Sequence, residues 1–192
     1  MQRTALKERK TEQKTVVFTI GHSTRPVPEF IKIIRAYGMK KVMDIRTIPK
    51  SRHNPKFNED VLRESLEAVQ IGYLHMKGLG GLRHALKDSP NTGWRNASFR
   101  GFADYMQTAE FEENLETLIE EAKKTATVVM CAEAVPWRCH RSLIGDALLI
   151  RRVHVTHIMS AGSSRDHTLT PWAKVRGRKI TYEEEGGRYG KL

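Results

Sequence analysis

Two periodicities alternate along the chain. Short β-branched and aromatic runs at residues 16–20, 41–45, 71–76, 126–130 and 153–159 have the length and composition of buried strands. Between them, apolar residues recur every three to four positions. Phe30, Ile33, Ile34 and Tyr37 mark one helix, entered through Pro26 and Pro28 and closed by Gly38. Val61, Leu62, Leu66 and Val69 mark a second, capped by Asn58 or Asp60. Residues 99–106 and 110–124 read as two further helices, the latter burying Phe111, Leu115, Leu118, Ile119 and Ala122, and residues 142–150 as another.

Strand followed by helix, repeated, predicts an α/β fold: a single domain with a central, mainly parallel sheet of about five strands flanked by helices and joined by right-handed crossovers. Beyond residue 160 the pattern changes. Two short β-rich runs around Arg176-Gly177-Arg178 predict a C-terminal β-hairpin, or an edge strand with a tail. Residues 1–14 are charged and lack apolar periodicity, which predicts a disordered basic arm; residues 15–182 form the domain and 183–192 a disordered tail. Two segments resist either periodicity. Residues 46–57 hold two prolines and a basic cluster, and residues 78–98 open with Gly78-Leu79-Gly80-Gly81, so both read as long loops.

Charge narrows the partners. Lys and Arg outnumber Asp and Glu by 33 to 22, a net charge of +11 in 192 residues, which favours a polyanion such as nucleic acid, or a phosphorylated small molecule. No apolar run is long enough to span a bilayer and the N-terminus lacks a signal-peptide core, so no membrane association and a cytoplasmic location are expected. Two cysteines exclude a disulfide scaffold, and the oligomeric state is not legible.

Candidate chemistry concentrates where the fourth strand ends. Val128-Val129-Met130 runs into Cys131, Glu133, Cys139, His140 and Arg141, and a helix follows. In open α/β sheets this carboxyl edge is where ligands bind, because loops splay apart there and helix N-termini face the crevice. Three chemistries fit these residue types. Asp44 and Glu133, each at or past the end of a strand and amid arginines, could divide acid and base work in glycosidic or phosphoester hydrolysis, or could simply form buried salt bridges with Arg46, Arg52 or Arg141. Cys131, beside Arg138, His140 and Arg141 and a helix N-terminus, could be an activated thiol; however, a Cys-x5-Arg loop would need arginine where Trp137 stands, and Arg138 comes one position late. Zinc would need a second ligand pair, which only His22 and His157 from neighbouring strands could supply.

The remaining signals are simpler. His22-Ser23 can bind an anion or relay a proton, or Ser23 can cap a helix. Trp94, Arg95, Phe99 and Arg100 interleave rings with cations, as base-stacking surfaces do, although such rings also anchor loops. The glycine cluster lacks both the dinucleotide fingerprint and the Lys-Ser or Lys-Thr ending of a phosphate loop, so the reading requires no cofactor and no metal.

Several separated motifs occur in order: Thr19-Ile20-Gly21-His22-Ser23; Asp44-Ile45-Arg46 with Pro49, Ser51-Arg52 and Pro55-x-Phe57; Leu79-Gly80-Gly81; Phe102-Ala103-x-Tyr105-Met106; and Met130-Cys131-Ala132-Glu133 with Cys139-His140-Arg141. Together they resemble the family catalogued as domain of unknown function 488, across approximately residues 16–182. The resemblance implies a single α/β domain in a prokaryotic cytoplasm and carries no reaction with it. The expectation is therefore an enzyme acting on nucleic acid or a nucleotide. Asp44, Glu133, His140 and Cys131 would carry the chemistry, and His22, Ser23, Arg46, Arg52, Cys139 and Arg141 would hold the anion. Its alternatives are a non-catalytic nucleic-acid-binding protein and thiol chemistry at Cys131 and Cys139.

Overall fold

The computed structural model describes residues 15–51 and 54–184. The basic arm 1–14, Arg52, His53 and residues 185–192 lie outside the described residues. The structure is the expected α/β domain. Strands β1 (Val16–Gly21), β2 (Lys41–Asp44), β3 (Gly72–His75), β4 (Thr127–Cys131) and β5 (His154–Ser160) lie parallel, and β6 (Ser163–Asp166) adds an antiparallel edge, in the order β3-β2-β4-β1-β5-β6. A separate antiparallel hairpin, β7 (Lys174–Arg176) and β8 (Lys179–Thr181), follows.

Side-chain alternation splits the apolar strand residues between two cores. Ile20, Val42, Val128 and Met130 face helices α1 (Val27–Ala36) and α2 (Glu59–Glu67). Val17, Met43, Val129, Cys131 and Val155 face α3 (Ala97–Tyr105), α4 (Ala109–Lys124) and α5 (Arg141–Leu149). Burial on both faces is why β4 reads as an unbroken apolar run rather than an alternating one. The order of the strands also places a switch point. From β1 the chain moves through α1 to β2 on one side, and from β4 it moves through α5 to β5 on the other. The carboxyl ends of these adjacent strands therefore open a crevice.

Three local details depart from expectation. Asn58 does stand at the N-cap of α2, yet its carboxamide accepts from Ser51 N at 2.8 Å instead of capping the helix. The loop after the glycine cluster is pinned rather than free: the buried Asp104 carboxylate accepts from Leu86 N, Ser89 Oγ and Asn91 Nδ2, and Asn91 Oδ1 accepts from Tyr182 N. Tyr182, the last residue of the expected domain, is completely buried and donates to Asp146 at 2.8 Å, and the first two residues of the expected tail are still held, Glu183 by Lys174 at 2.8 Å and Glu184 N by Thr92 Oγ1 at 3.1 Å.

The end of β1 meets the loop after β4 at very short range. A Cβ on Gly21 would lie 1.8 Å from Glu133 O, so only glycine lets the two backbones touch. Gly21→Ala must push the 131–134 loop away and is expected to lower stability by about 1–3 kcal/mol, whereas Gly162→Ala, with nothing within 4 Å of its added Cβ, is expected to be near neutral. Urea denaturation of both variants measures this; equal midpoints would mean that the close approach is not a constraint.

Candidate active site

Cys131 closes β4, and Cys139 and His140 immediately precede α5, following a single 3-10 turn at Pro136–Arg138. This turn folds the chain back so that one ligand-type atom from each of Cys131, Cys139 and His140 falls within 4.8 Å of the others. His140 Nδ1 lies 3.7 Å from Cys139 Sγ, while its Nε2 is buried without a hydrogen-bond partner. Gly81 packs directly on the imidazole, since a Cβ there would sit 2.4 Å from Nδ1. The glycines of the cluster thus serve close approach, Gly81 to this ring, Gly80 to Thr47 and Gly78 to Asn114.

Arg141 is the centre of the arrangement. It is 1% exposed, and its guanidinium donates to Cys139 Sγ at 3.4 Å, Thr19 Oγ1 at 3.4 Å and Glu133 O at 2.6 Å. Among the described residues no carboxylate pairs with it. A buried cation requires a compensating negative charge, and the atom in place to supply one is the Cys139 sulfur. Burial alone would push the Cys139 thiol up, but donation from Cys131 together with His140 and Arg141 holds it well below the usual thiol range. Cys131, which donates to that sulfur and is itself buried, is pushed well above it. Of the two thiols, the surroundings favour ionisation of Cys139 over Cys131, the one the strand-end position had brought forward.

From Thr19 a hydrogen-bonded chain runs through the core. Thr19 Oγ1 lies 2.7 Å from His157 Nδ1, His157 Nε2 lies 2.9 Å from His167 Nδ1, and His167 Nε2 lies 2.9 Å from Asp146 Oδ1. Because Asp146 can only accept, His167 must donate through Nε2 and accept at Nδ1. His157 then donates through Nε2 and accepts the Thr19 hydroxyl at Nδ1. Both imidazoles are satisfied when neutral, and burial, then His167 and Arg141, lowers the His157 pKa to about 3. With both nitrogens engaged, His157 cannot complete a zinc site. His22 cannot either: its Nδ1 donates to Ser23 O at 2.8 Å and its Nε2 faces Arg46 Nη1 at 3.5 Å, while burial, countered by the bond to Ser23 and reinforced by Arg46, lowers its pKa to about 4.

Asp44 does not share a crevice with Glu133. In-register pairing with Met130 puts Asp44 on the α1 and α2 side, where it is completely buried, receives Arg46 Nε at 2.9 and 3.0 Å on its two oxygens, and accepts from Tyr73 Oη at 2.7 Å. This is a buried ion pair, not an acid or base with access to substrate. Arg46 spends its charge on Asp44 and also donates to Phe57 O at 2.8 Å. Ser23, at φ +52°, serves through its backbone: its N–H donates to Ala132 O at 2.9 Å.

These groups border a cavity of about 380 Å³. Cys131, Cys139, His140, Glu133, Arg46 and His22 all line it, whereas Asp44, Ser23 and Arg141 stand behind the wall. Glu133 is exposed, with no side-chain hydrogen bond among the described residues. Lys50 and Arg138 complete the cationic lining, and Ile48 and Leu82, 61% and 68% exposed, give the mouth an apolar rim. Lys50 and Thr19 were not singled out from sequence. Their signal was the basic cluster after β2 and a lone polar residue in a buried strand.

The sequence profile of the family described as "Domain of unknown function DUF488" matches residues 26–148, more than half of the chain. Neither a curated protein nor a solved structure matches it.

Two predictions follow from the geometry of the buried groups. Asp44→Asn leaves Arg46 buried and unpaired, so it is expected to cost about 3–5 kcal/mol in denaturation; a wild-type midpoint would mean that the carboxylate is not structural. In acid, the unfolded chain protonates His22 and His157 near pH 6.5, but the folded chain does so only near 4 and 3. The unfolded state binds more protons in between, so the stability due to these two groups is complete above about pH 6.5 and lost as pH falls. A slope approaching about 2.7 kcal/mol per pH unit, two protons' worth, is expected between those limits. His157→Asn should roughly halve it, and a flat profile would show that the imidazoles are not held neutral.

Proposed function

Since the chain belongs to the family of domain of unknown function DUF488, whose name assigns no reaction, its chemistry has to be read from the site. We propose that it is a cysteine-dependent enzyme that cleaves phosphoesters of nucleic acid or a nucleotide, with Cys139 as nucleophile. The observation that carries this reading is the buried Arg141, which has a sulfur and no carboxylate as its anionic partner. A thiolate at a cavity wall is a competent nucleophile, and a neighbouring helix N-terminus and cations stabilise it.

In this reading Lys50 and Arg138, together with the residual field of Arg46, draw the phosphate into the cavity. The Cys139 sulfur attacks phosphorus. An S–P bond forms as the P–O bond to the leaving group breaks, and His140 delivers a proton to the departing oxygen. Water then attacks the same phosphorus with Glu133 accepting its proton, the S–P bond breaks to release phosphate and regenerate the thiolate, and the proton taken by Glu133 returns through solvent to His140. The net charge of +11 supports a polyanionic substrate.

The Cys131, Cys139 and His140 cluster also favours a second reading, a three-ligand metal site open to the cavity. The cationic surroundings weigh against placing another cation there.

Hydrolysis of p-nitrophenyl phosphate and its diester separates these readings. Cys139→Ser should lower kcat by about a thousandfold or more, and His140→Gln by roughly 10²- to 10⁴-fold, with KM little changed. Iodoacetamide should label Cys139 rapidly at pH 7 in metal-free protein. Stoichiometric zinc by elemental analysis would replace the nucleophile with a metal. An active Cys139→Ser variant would end the thiolate reading.

A further inference from the structure

A second cavity of about 320 Å³ backs onto the first across the same ridge. Pro136, Trp137 and Ser142 line it on one side of residues 136–142, while Arg138, Cys139 and His140 line the first cavity on the other. All three tryptophans of the chain, Trp94, Trp137 and Trp172, border this second cavity. Two of them are markedly exposed: Trp137 at 57% and Trp172 at 40%. Large aromatic faces left to solvent and gathered at one concavity mark a binding surface.

The chemistry of the walls selects the ligand. His157 and His167 also line the cavity, but their ring nitrogens are committed to Thr19, to each other and to Asp146, so they offer no metal-binding lone pair. What remains is flat π surface, one cation and one carboxylate: Arg165 is exposed and makes no side-chain hydrogen bond or ion pair among the described residues, whereas Asp166 accepts from His154 Nε2 at 3.0 Å and Thr156 Oγ1 at 2.9 Å. Trp94 meets Trp172 edge-on, with ring centroids 5.2 Å apart, and also packs against Phe99 at 4.8 Å and Tyr182 at 5.4 Å, so it forms the back of a corner whose open ring surface belongs to Trp137 and Trp172. A cationic ligand would meet Arg165 and a net charge of +11. A neutral planar ring attached to phosphate satisfies both the rings and the cation. The cavity lies at the small end of the roughly 300–1,000 Å³ range of ligand pockets, which suits one ring system.

We propose that this cavity seats one unpaired nucleobase of a single strand whose backbone crosses the ridge of residues 136–142 into the first cavity. The inference rests on the reading of that first cavity as a phosphoester site and gives its substrate a class: single-stranded nucleic acid rather than a duplex, whose bases are already stacked on both faces.

Because every tryptophan borders this cavity, intrinsic fluorescence reports on it. The full chain should be titrated at low salt with a ten-nucleotide thymidine strand and with an abasic strand of the same length, and binding followed in parallel by anisotropy of a labelled strand. The base-bearing strand should quench the tryptophans, whereas the abasic strand should bind in a salt-sensitive way without quenching. Trp137→Ala and Trp172→Ala, whose rings are largely exposed, should keep the wild-type melting temperature and weaken the base-bearing strand roughly five- to hundredfold, toward the abasic value. Equal binding and equal quenching by both strands, no binding of either, or quenching by tetramethylammonium alone would overturn the proposal. Its fate separates from that of the phosphoester reading: quenching without Cys139-dependent hydrolysis of p-nitrophenyl phosphate retains the base seat and removes the reaction, and hydrolysis without quenching does the reverse.

Discussion

Arg141 is buried in the middle of the sheet's carboxyl edge, and four acceptors from three parts of the chain close around its guanidinium: the hydroxyl of Thr19 in β1, the carbonyls of Glu133 and Ala134 after β4, and the sulfur of Cys139. Desolvating a guanidinium is costly unless its donors are filled and its charge is answered. Carbonyls and a hydroxyl fill the donors. The group in place to answer the charge is the Cys139 sulfur, because the Asp146 carboxylate stands at the far end of the Thr19–His157–His167 chain and makes no hydrogen bond or ion pair with Arg141. Ionisation of Cys139 would therefore be coupled to the stability of this corner, since a protonated thiol would leave a buried cation unanswered.

Topology puts that corner where a ligand can reach it. β1 and β4 are neighbours whose following helices cover opposite faces of the sheet, so their terminal loops diverge. Gly21 lets the two loops touch at one point, and Gly81 lets the loop after β3 fold over His140. The closely approaching backbones border the cavity, and the arginine singles out one of its two lining sulfurs by direct contact.

The strands and helices were legible because burial on both faces of a parallel sheet leaves continuous β-branched runs, while the helices keep one polar face. β6 was not legible: all four of its residues are exposed, so no apolar alternation marks it. The site was legible as a neighbourhood and not as an arrangement. Asp44 and Cys131 both end strands, but in a sheet buried on both faces nothing in the local pattern tells which side a polar residue takes; only the register, with Asp44 opposite Met130 and Gly21 opposite Cys131, separates them. Cys131 drew attention as the thiol at the strand end. The deciding contact, Arg141 Nε on Cys139 Sγ, follows from the turn at Pro136–Arg138, which orients two side chains that sequence alone shows only as near neighbours.

The same environment acts in opposite senses on acids and bases. Burial is the first reason that His22 and His157 remain neutral, and the nearby arginines reinforce it, since a second cation beside Arg46 or Arg141 would be repelled. For Cys139 burial works against ionisation, and the donors around the sulfur reverse the outcome. A positive field around buried groups therefore acts differently on each: it pulls the Cys139 thiol toward ionisation, holds the His22 and His157 imidazoles toward neutrality, and leaves the Asp44 carboxylate locked to its own arginine. In the phosphoester reading proposed above, an incoming phosphate would meet Lys50 and Arg138 at the cavity wall, while Arg141 stays on the Cys139 sulfur behind it. Attack on phosphorus would then carry negative charge off the sulfur as the S–P bond forms, toward the cations that line the cavity.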